Sequence, residues 1–373
     1  MNIAFDAKRA FLNPSGLGNY SRTLIRSLVR SYPSNLWALF TPTKGSSDFS
    51  TFIGSHKNAT IVQPQKLLDK KISSRWRSYG ITRLLEKNKI DVYHGLSNEL
   101  PFNIKNFKGK KIVTIHDLLF LRYPKLYPLF DRKLYDKKSR SACELADIIV
   151  AVSEQTKNDI VEFYSIDPKK IKVVYQSCDE AFYKKIPEES TNKIKEKYHL
   201  PDKYLLYVGT IEERKNLLSL VQALTIVKNI PLVVIGKKKA YFKKIQRFIT
   251  ANKLGVRVIF PKNISNEDIP AIYKGAQIFI YPSLFEGFGI PIIEALSSGT
   301  PVITTRGGCF AEAGGPGSAY IEPTKHEQIA SEIQKILSSP ELRKSMIEQG
   351  FEHSKRFLPE VIASEMMNLY IQK

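Results

Sequence analysis

Cysteine is scarce in this chain: Cys143, Cys178 and Cys309 stand far apart among 373 residues. Three scattered thiols make neither a disulfide framework nor a metal knuckle, and a reducing cytoplasm is the expected compartment. Long apolar runs are lacking as well. Those at Ile148–Val152 and Pro231–Ile235 have the length of buried strands, far below the roughly 20 residues that span a bilayer. The opening Met1-Asn2-Ile3-Ala4-Phe5-Asp6 has neither the basic start nor the apolar stretch of a secretory leader. No solenoid repeat or long polar low-complexity tract appears. His56, His199, His326 and His353 show no metal-ligand spacing. Negative charge is also in deficit. Lys and Arg number 57 against 36 Asp and Glu, a net charge of +21. Residues 1–150 hold 26 of those cations against 11 carboxylates, so most of the excess lies there. Such a surface attracts nucleic acid, anionic lipid or an anionic substrate, and charge alone does not choose among them.

What is present is α/β patterning on a scale too large for one core, which usually stops growing at about 250–300 residues. Short β-branched runs at Asn2–Asp6, Leu36–Thr41, Val92–His94, Lys111–Ile115, Asp147–Val152 and Lys172–Tyr175 alternate with amphipathic stretches such as Tyr20–Val29. The pattern restarts at Tyr204–Val208 and continues through Leu232–Ile235, Val256–Phe260, Ile278–Tyr281, Pro301–Thr304 and Ala319–Ile321, with helical patterns at Leu217–Lys228 and Ile329–Leu337. Near-continuous apolar strands separated by helices predict parallel sheets covered on both faces. The expectation is two doubly wound Rossmann-like domains, 1–180 and 198–356, facing each other across a cleft. The polar stretch Asp179–Lys197 reads as a linker, and residues 358–373 as a C-terminal helix packing back on the first domain.

The most informative segment is Tyr281-Pro-Ser-Leu-Phe-Glu-Gly-Phe-Gly-Ile-Pro-Ile-Ile-Glu294. A strand runs into the turn Gly287-Phe288-Gly289, and Pro291 suits the first turn of the helix that follows. The free N–H groups and dipole of that helix favour a phosphate. Glu286 and Glu294 beside it are suited to accept hydrogen bonds from sugar hydroxyls. This Glu-x7-Glu string resembles the hallmark of the family 4 retaining glycosyltransferases, which have the two-domain B-type fold, and the resemblance covers nearly the whole chain. It implies that Glu286 contacts the transferred sugar, that Glu294 holds the ribose, and that the backbone of Gly287, Phe288, Gly289 and Ile290 faces the sugar and diphosphate.

A second segment agrees. Gly209-Thr-Ile-Glu-Glu-Arg214-Lys215-Asn216 follows the strand at Tyr204–Val208. Two adjacent cations at a strand end can neutralise a departing diphosphate, which is the role the resemblance gives Arg214 and Lys215. Thr210 stands where some members carry a further Arg. In the first half, the loop Asn13–Asn19 places Gly16 and Gly18 after a strand; the resemblance puts this loop near the donor phosphate and the acceptor. It is not the Gly-x-Gly-x-x-Gly dinucleotide fingerprint, because Ser21 occupies the third glycine position. His116 ends the strand Val113–Ile115, and the resemblance sets it beside the donor sugar, where it positions or polarises the reacting centre; a packed structural His is the alternative. His94 ends another strand and could face the acceptor.

The expected catalytic set is therefore His116, Arg214, Lys215 and Glu286. The expected donor-binding set is Gly16, Gly18, Arg214, Lys215, Glu286, Gly287, Phe288, Gly289, Ile290 and Glu294. No Asp-x-Asp occurs, so no metal and no cofactor are expected beyond the nucleotide sugar as co-substrate. The family implies retention, often by front-face attack assisted by the leaving phosphate, which fits a chain with no evident covalent nucleophile. A glycosidase carboxylate pair is an alternative for Glu286 and Glu294, but a hydrolase needs no phosphate cradle. The Gly-Thr-Ile-Glu-x-Arg-Lys-Asn string is most similar to bacterial mannosyltransferases, which ranks GDP-mannose first, ahead of UDP- or dTDP-hexoses. The expected acceptor is a glycan or polyprenyl-linked saccharide of a bacterial surface polysaccharide such as an O-antigen. Basic segments with aromatics occur at Lys70–Lys89 (Ile72, Trp76 and Tyr79 among Lys70, Lys71, Arg75, Arg77 and Arg83) and at Pro128–Arg140 (Phe130 and Tyr135). They suit peripheral contact with an anionic membrane at the cytoplasmic face; core aromatics with a solvated basic rim are the structural alternative. No nucleic-acid partner is expected, since no binding motif accompanies the charge. The other readings are a different B-type enzyme, an epimerase or phosphorylase, and a non-catalytic binder of nucleic acid or an anionic surface.

Overall fold

A computed structural model describes residues 1–45, 48–65 and 72–372. Contacts divide the chain into two units, Met1–Ser177 with Pro359–Lys373, and Cys178–Leu358. The first unit is built on β1 (Asn2–Asp6), β2 (Leu36–Phe40), β3 (Ala59–Val62), β4 (Val92–Gly95), β5 (Lys110–Ile115), β6 (Ile148–Ala151) and β7 (Ile171–Val173). They form one parallel sheet in the order β3-β2-β1-β4-β5-β6-β7. The second unit holds β8 (Leu205–Val208), β9 (Leu232–Ile235), β10 (Val258–Ile259), β11 (Ile278–Tyr281), β12 (Val302–Thr305) and β13 (Ala319–Ile321), again parallel, in the order β10-β9-β8-β11-β12-β13. Both orders reverse direction once, at β1/β4 and at β8/β11. At such a switch point the loops leaving adjacent strands diverge to opposite faces and open a crevice at the carboxyl ends.

The strand cores are apolar on both faces, as covered parallel strands require. Phe5, Leu39, Ile112 and Ile149 are fully buried in the first sheet, and Leu206, Val233, Phe279 and Ile303 in the second. The sequence reading missed β3, an edge strand with only Ala59 buried, because an edge carries no continuous apolar run. It also took 179–197 for a linker. The structure forms a 3-10 turn at Glu180–Tyr183 and a helix at Glu188–Lys197, both within the second unit. That helix buries Thr191 and leaves its Glu and Lys residues in water, so composition imitated a linker. Lys197 and Tyr198 anchor its end to Asp268, at 2.7 and 2.6 Å.

The basic segment from Lys70 is not a uniform amphipathic helix. Lys70 and Lys71 lie outside the described residues. Ser73–Arg75 is one helical turn, Trp76–Gly80 a π-turn and Ile81–Lys87 a helix. Trp76 is core, and Arg77 is buried against Asp6, with its Nε 3.0 Å from Oδ2, and against Glu99 at 3.2 Å. Arg77 therefore does not join a basic rim.

The C-terminal helix Pro359–Ile371 lies with helix Gly16–Ser31 in the first unit and buries Ile362, Ala363, Met366 and Tyr370. A buried polar chain fixes it. The Tyr370 hydroxyl meets His94 Nδ1 at 2.8 Å, His94 Nε2 meets Thr114 Oγ1 at 2.8 Å, and Thr114 meets the Tyr20 hydroxyl at 3.1 Å. Lys110 closes the helix end on the carbonyls of Leu369 and Tyr370, both at 3.1 Å. Burial, then the neighbouring His116, pulls the His94 imidazole down to about 3, so it is neutral near pH 7. His94 is thus a packed structural residue. Replacing Tyr370 with Phe leaves one imidazole nitrogen without its partner. We expect a loss of about 1–2 kcal/mol, read as a lower urea midpoint at unchanged slope; an unchanged midpoint would show that the chain does not hold the helix.

Candidate active site

The second sheet sets the site by topology. The loop after β8 carries Arg214 and Lys215, and the loop after β11 carries Glu286; these strands flank the switch point. Each loop is shaped locally. Glu213–Lys215 is a 3-10 turn ended by Asn216 in the left-handed region at φ 53°, a conformation Asn tolerates. The Asn216 amide donates to the Pro323 carbonyl at 2.6 Å, and its Oδ1 accepts from Ser219 at 2.9 Å. After β11, Gly289 adopts φ 142°, which a side chain rarely allows, and opens the helix Ile290–Ser297 with Pro291 in its first turn. Phe288 is buried against Phe357, with ring centroids 5.6 Å apart. Only the backbone of Phe288 is then available to a ligand.

These loops bring three expected residues into one cluster. Glu286 Oε2 lies 2.6 Å from Arg214 Nη1, and Oε1 lies 2.7 Å from Lys215 Nζ. The Tyr281 and Ser283 hydroxyls donate to Oε1 at 2.9 and 2.8 Å. Arg214 also donates to the Phe285 carbonyl at 2.6 Å and to Glu212 at 2.9 Å, and Glu212 in turn meets Lys239 at 2.5 Å. Lys215 also meets the Tyr281 hydroxyl. The result is an alternating chain, Lys239–Glu212–Arg214–Glu286–Lys215. The Arg214, Lys215 and Glu286 side chains are only 17, 13 and 12% exposed, so their pairing is weakly screened. Burial alone would raise the Glu286 carboxyl; Lys215 and Arg214 outweigh it and hold the group at about 2. Burial pulls the Lys215 ammonium below its ordinary range despite Glu286.

Glu294, about one turn into the helix, has the opposite surroundings. Burial pushes its carboxyl up to about 7, and Asp179 adds to this, while the hydrogen bond from Tyr273 and the charge of Lys215 oppose it. The Tyr273 hydroxyl donates to Glu294 Oε2 at 2.8 Å. One carboxylate is therefore fixed in the charged state and the other is poised near neutrality. Pairs of groups pushed apart in this way mark functional sites.

Gly16, Gly18 and His116 lie in the first unit. The helix expected from Tyr20 begins at Gly16, because Asn13 Oδ1 accepts from the Ser15 amide at 2.7 Å and turns the chain early. The two glycines are not equivalent. A Cβ on Gly18 would stand 1.8 Å from the Asn13 carbonyl oxygen, whereas one on Gly16 would meet nothing within 4 Å. Arg22 holds that carbonyl and that of Ala10, both at 2.9 Å. His116 follows β5 with both ring nitrogens engaged. Nε2 faces the Leu96 carbonyl and Nδ1 the Gln176 amide, each at 2.8 Å, and Tyr20 packs edge-on at 4.8 Å. Nε2 must donate to a carbonyl, so Nδ1 accepts. Burial lowers the imidazole to about 4.

The sequence reading gave no role to Tyr281, Ser283, Glu212, Lys239 or Tyr273. Tyr281 and Ser283 stand inside the quoted motif and were legible as neighbours. Tyr273 sits 21 residues before Glu294 with no pattern joining them.

Two doubly wound parallel α/β sheets are the architecture of the B-type glycosyltransferase fold. Anabaena HepE, solved with UDP and glucose, matches with a TM-score of 0.75 at 16% identity over 99% of this chain and 98% of its own. WaaG, a glycosyltransferase involved in lipopolysaccharide biosynthesis, matches with a TM-score of 0.72 at 16% identity over the whole of both chains. The Escherichia coli O-antigen chain mannosyltransferase B is 24% identical across 99% of each chain. The Glycosyltransferase Family 4 model matches residues 14–182, and the Glycosyl transferases group 1 model matches residues 189–353. The chain belongs to the family 4 glycosyltransferases.

The two carboxyls give opposite pH signatures. Glu286, depressed in the folded state, contributes stability above its unfolded value of about 4.3 that is lost as pH falls towards about 2. Glu294, raised in the folded state, contributes stability that is full below about 4.3 and lost as pH rises through about 7. Glu294→Gln should therefore stabilise the protein by on the order of 2 kcal/mol at about pH 8 and be near neutral at about pH 4. Thermal melts at both pH values check this; a difference independent of pH would refute it.

Proposed function

We propose that the protein transfers a hexose, mannose from GDP-mannose being the leading donor, to a glycan or polyprenyl-linked saccharide in bacterial surface polysaccharide synthesis. The observation that carries this reading is the Arg214–Glu286–Lys215 cluster at the β8/β11 switch point. A diphosphate there would compete with Glu286 for the two cations. Once displaced, the Glu286 carboxylate is an acceptor that could meet hydroxyls of the sugar. Breaking the anomeric bond puts negative charge on the leaving diphosphate, and preorganised cations in a water-poor site stabilise it most. The backbone of Gly287–Ile290 and the helix start would add N–H donors. Retention with help from the leaving phosphate would ask for no protein nucleophile, and Arg214, Lys215 and the helix start would stand in place of a metal. The mannosyl guess draws on the E. coli relative, whose name gives the sugar and the product.

The test is thermal shift and transfer assay with GDP, UDP, dTDP and their hexose conjugates. Glu286→Gln should bind the nucleoside diphosphate at least as tightly as wild type, since a competitor for the cations is gone, yet lose transfer by about a hundredfold or more, as when one transition-state electrostatic contact is removed. Excess chelator should leave wild-type activity intact. Stabilisation by no nucleotide, or activity lost to chelator and restored by manganese, would overturn the corresponding part.

We further propose peripheral contact with an anionic membrane on the cytoplasmic side through the helix Leu129–Leu145. Phe130 is 78% exposed and Leu129 58%, among Arg132, Lys133 and Lys137. Apolar side chains standing in water within a basic helix suit a lipid interface. Among the described residues no helix is long and apolar enough to cross a membrane. Phe130→Ser should weaken binding to anionic vesicles about tenfold, the scale of one buried aromatic, and salt should weaken wild type. Equal binding by the variant, or no binding to such vesicles at low salt, would end the proposal.

A further inference from the structure

Glu294 meets a partner whose hydroxyl has no evident use in packing. Tyr273 lies on the helix Ile269–Gly275 and is fully buried. Its ring is wedged edge-on against Phe182 at 5.6 Å and tilted against Phe279 at 5.1 Å. Its carbonyl is tied down by the Thr300 hydroxyl at 2.6 Å and the Ala276 amide at 3.0 Å. A phenol gripped at ring and backbone delivers its hydroxyl to one place, Glu294 Oε2 at 2.8 Å. A phenylalanine would pack as well among these aromatics. The hydroxyl must be sited for the carboxylate.

We propose that Tyr273 is a positioning residue for the nucleotide's ribose: its buried hydroxyl fixes the rotamer of Glu294, so that the remaining acceptor positions of the carboxylate meet a vicinal diol. The inference rests on the reading of Glu294 as the ribose-holding group. A carboxylate takes two hydroxyl donors well only when ionised and held in one orientation. Tyr273 serves both needs, since a donor to the charged form favours it. The other groups facing Glu294 are Asp179 and Cys178, which precede the 3-10 turn, and Lys215 from the loop after β8. Asp179 disfavours the charge and Lys215 supports it. With Tyr273 gone, burial and Asp179 would keep Glu294 protonated to higher pH. Affinity for a diol should then rise with pH later than in wild type. Glu286 has no such dependence on its tyrosine, because two cations hold it charged whatever Tyr281 does.

Calorimetric titration with GDP and UDP, each beside its 2′,3′-dideoxy analogue, from about pH 6 to 9, tests this on wild type, Tyr273→Phe and Glu294→Gln. Tyr273→Phe should weaken the ribonucleotide about tenfold near pH 7, the scale of a hydrogen bond to a charged group. The pH at which affinity is half-maximal should move up, and the ribo-to-dideoxy difference should shrink. A lower Tm with unchanged affinity, pH profile and dideoxy difference would assign Tyr273 to packing and overturn the proposal. Binding weakened in Glu294→Gln but not in Tyr273→Phe would overturn it while sparing the donor reading. No binding of either nucleotide to wild type would overturn both.

Discussion

Three ionised side chains meet where the second sheet reverses its order, and the surrounding structure is arranged to make that tolerable. Burying an unpaired charge costs far more than any single contact returns. Arg214 and Lys215 therefore arrive from the end of β8, and Glu286 from the end of the neighbouring β11, so that each cation finds one carboxylate oxygen. Around this meeting point the other conformations follow. Asn216 takes a left-handed turn to bring the two cations in, Gly289 turns the chain so that a helix can start beside the carboxylate, and Ser283 and Tyr281 saturate Oε1. In the proposed reading this ion pair would also be a binding site, since a ligand that carries negative charge to the cations would release Glu286.

The two glutamates divide the work through their environments. They are eight positions apart, the second on the helix that the first precedes, and one is held near 2 while the other is lifted to about 7. The difference does not come from burial, which pushes both upwards. It comes from the cations: Glu286 has two in contact, whereas Glu294 has a phenol and only the more remote field of Lys215. A permanently charged group suits hydroxyls on a sugar whose ring gains positive charge. A group near neutrality has an affinity for a diol that other residues can set. The Glu-x7-Glu spacing is shared chemistry only at the level of the sequence.

How much of this was legible beforehand follows from where each determinant sits. The strands and the two units were readable because buried parallel strands are apolar throughout, and Ile278–Tyr281 or Leu232–Ile235 could be little else. The edge strand Ala59–Val62 was not, being only four residues long with one of them buried, and neither was the helix Glu188–Lys197, which is mostly polar. Arg214, Lys215 and Glu286 were readable as types suited to a diphosphate and a sugar, but not as partners of one another, because no pattern spans the 71 positions from Lys215 to Glu286. Gly16 and Gly18 looked alike in sequence; only the path of Asn13 distinguishes them, and only Gly18 is required by it. Tyr273 was invisible for the same reason as the ion cluster: its significance is a contact made by the fold, not by spacing.

His116 shows how far a motif can be carried before geometry sets terms. A neutral imidazole whose Nε2 donates to the Leu96 carbonyl and whose Nδ1 accepts from Gln176 already satisfies both nitrogens inside the first unit. To touch a sugar, one of these bonds must be exchanged. The Leu96 bond is the costlier to lose, since breaking it would leave a buried backbone carbonyl without its donor. The Gln176 bond costs less, because an amide side chain can rotate away and Nδ1 would then accept from a sugar hydroxyl. The imidazole reached that way is an acceptor held neutral by burial, at about 4, so it would orient a hydroxyl rather than carry positive charge to the leaving group. In the proposed reaction that charge would come from Arg214 and Lys215, which are already held beside a carboxylate.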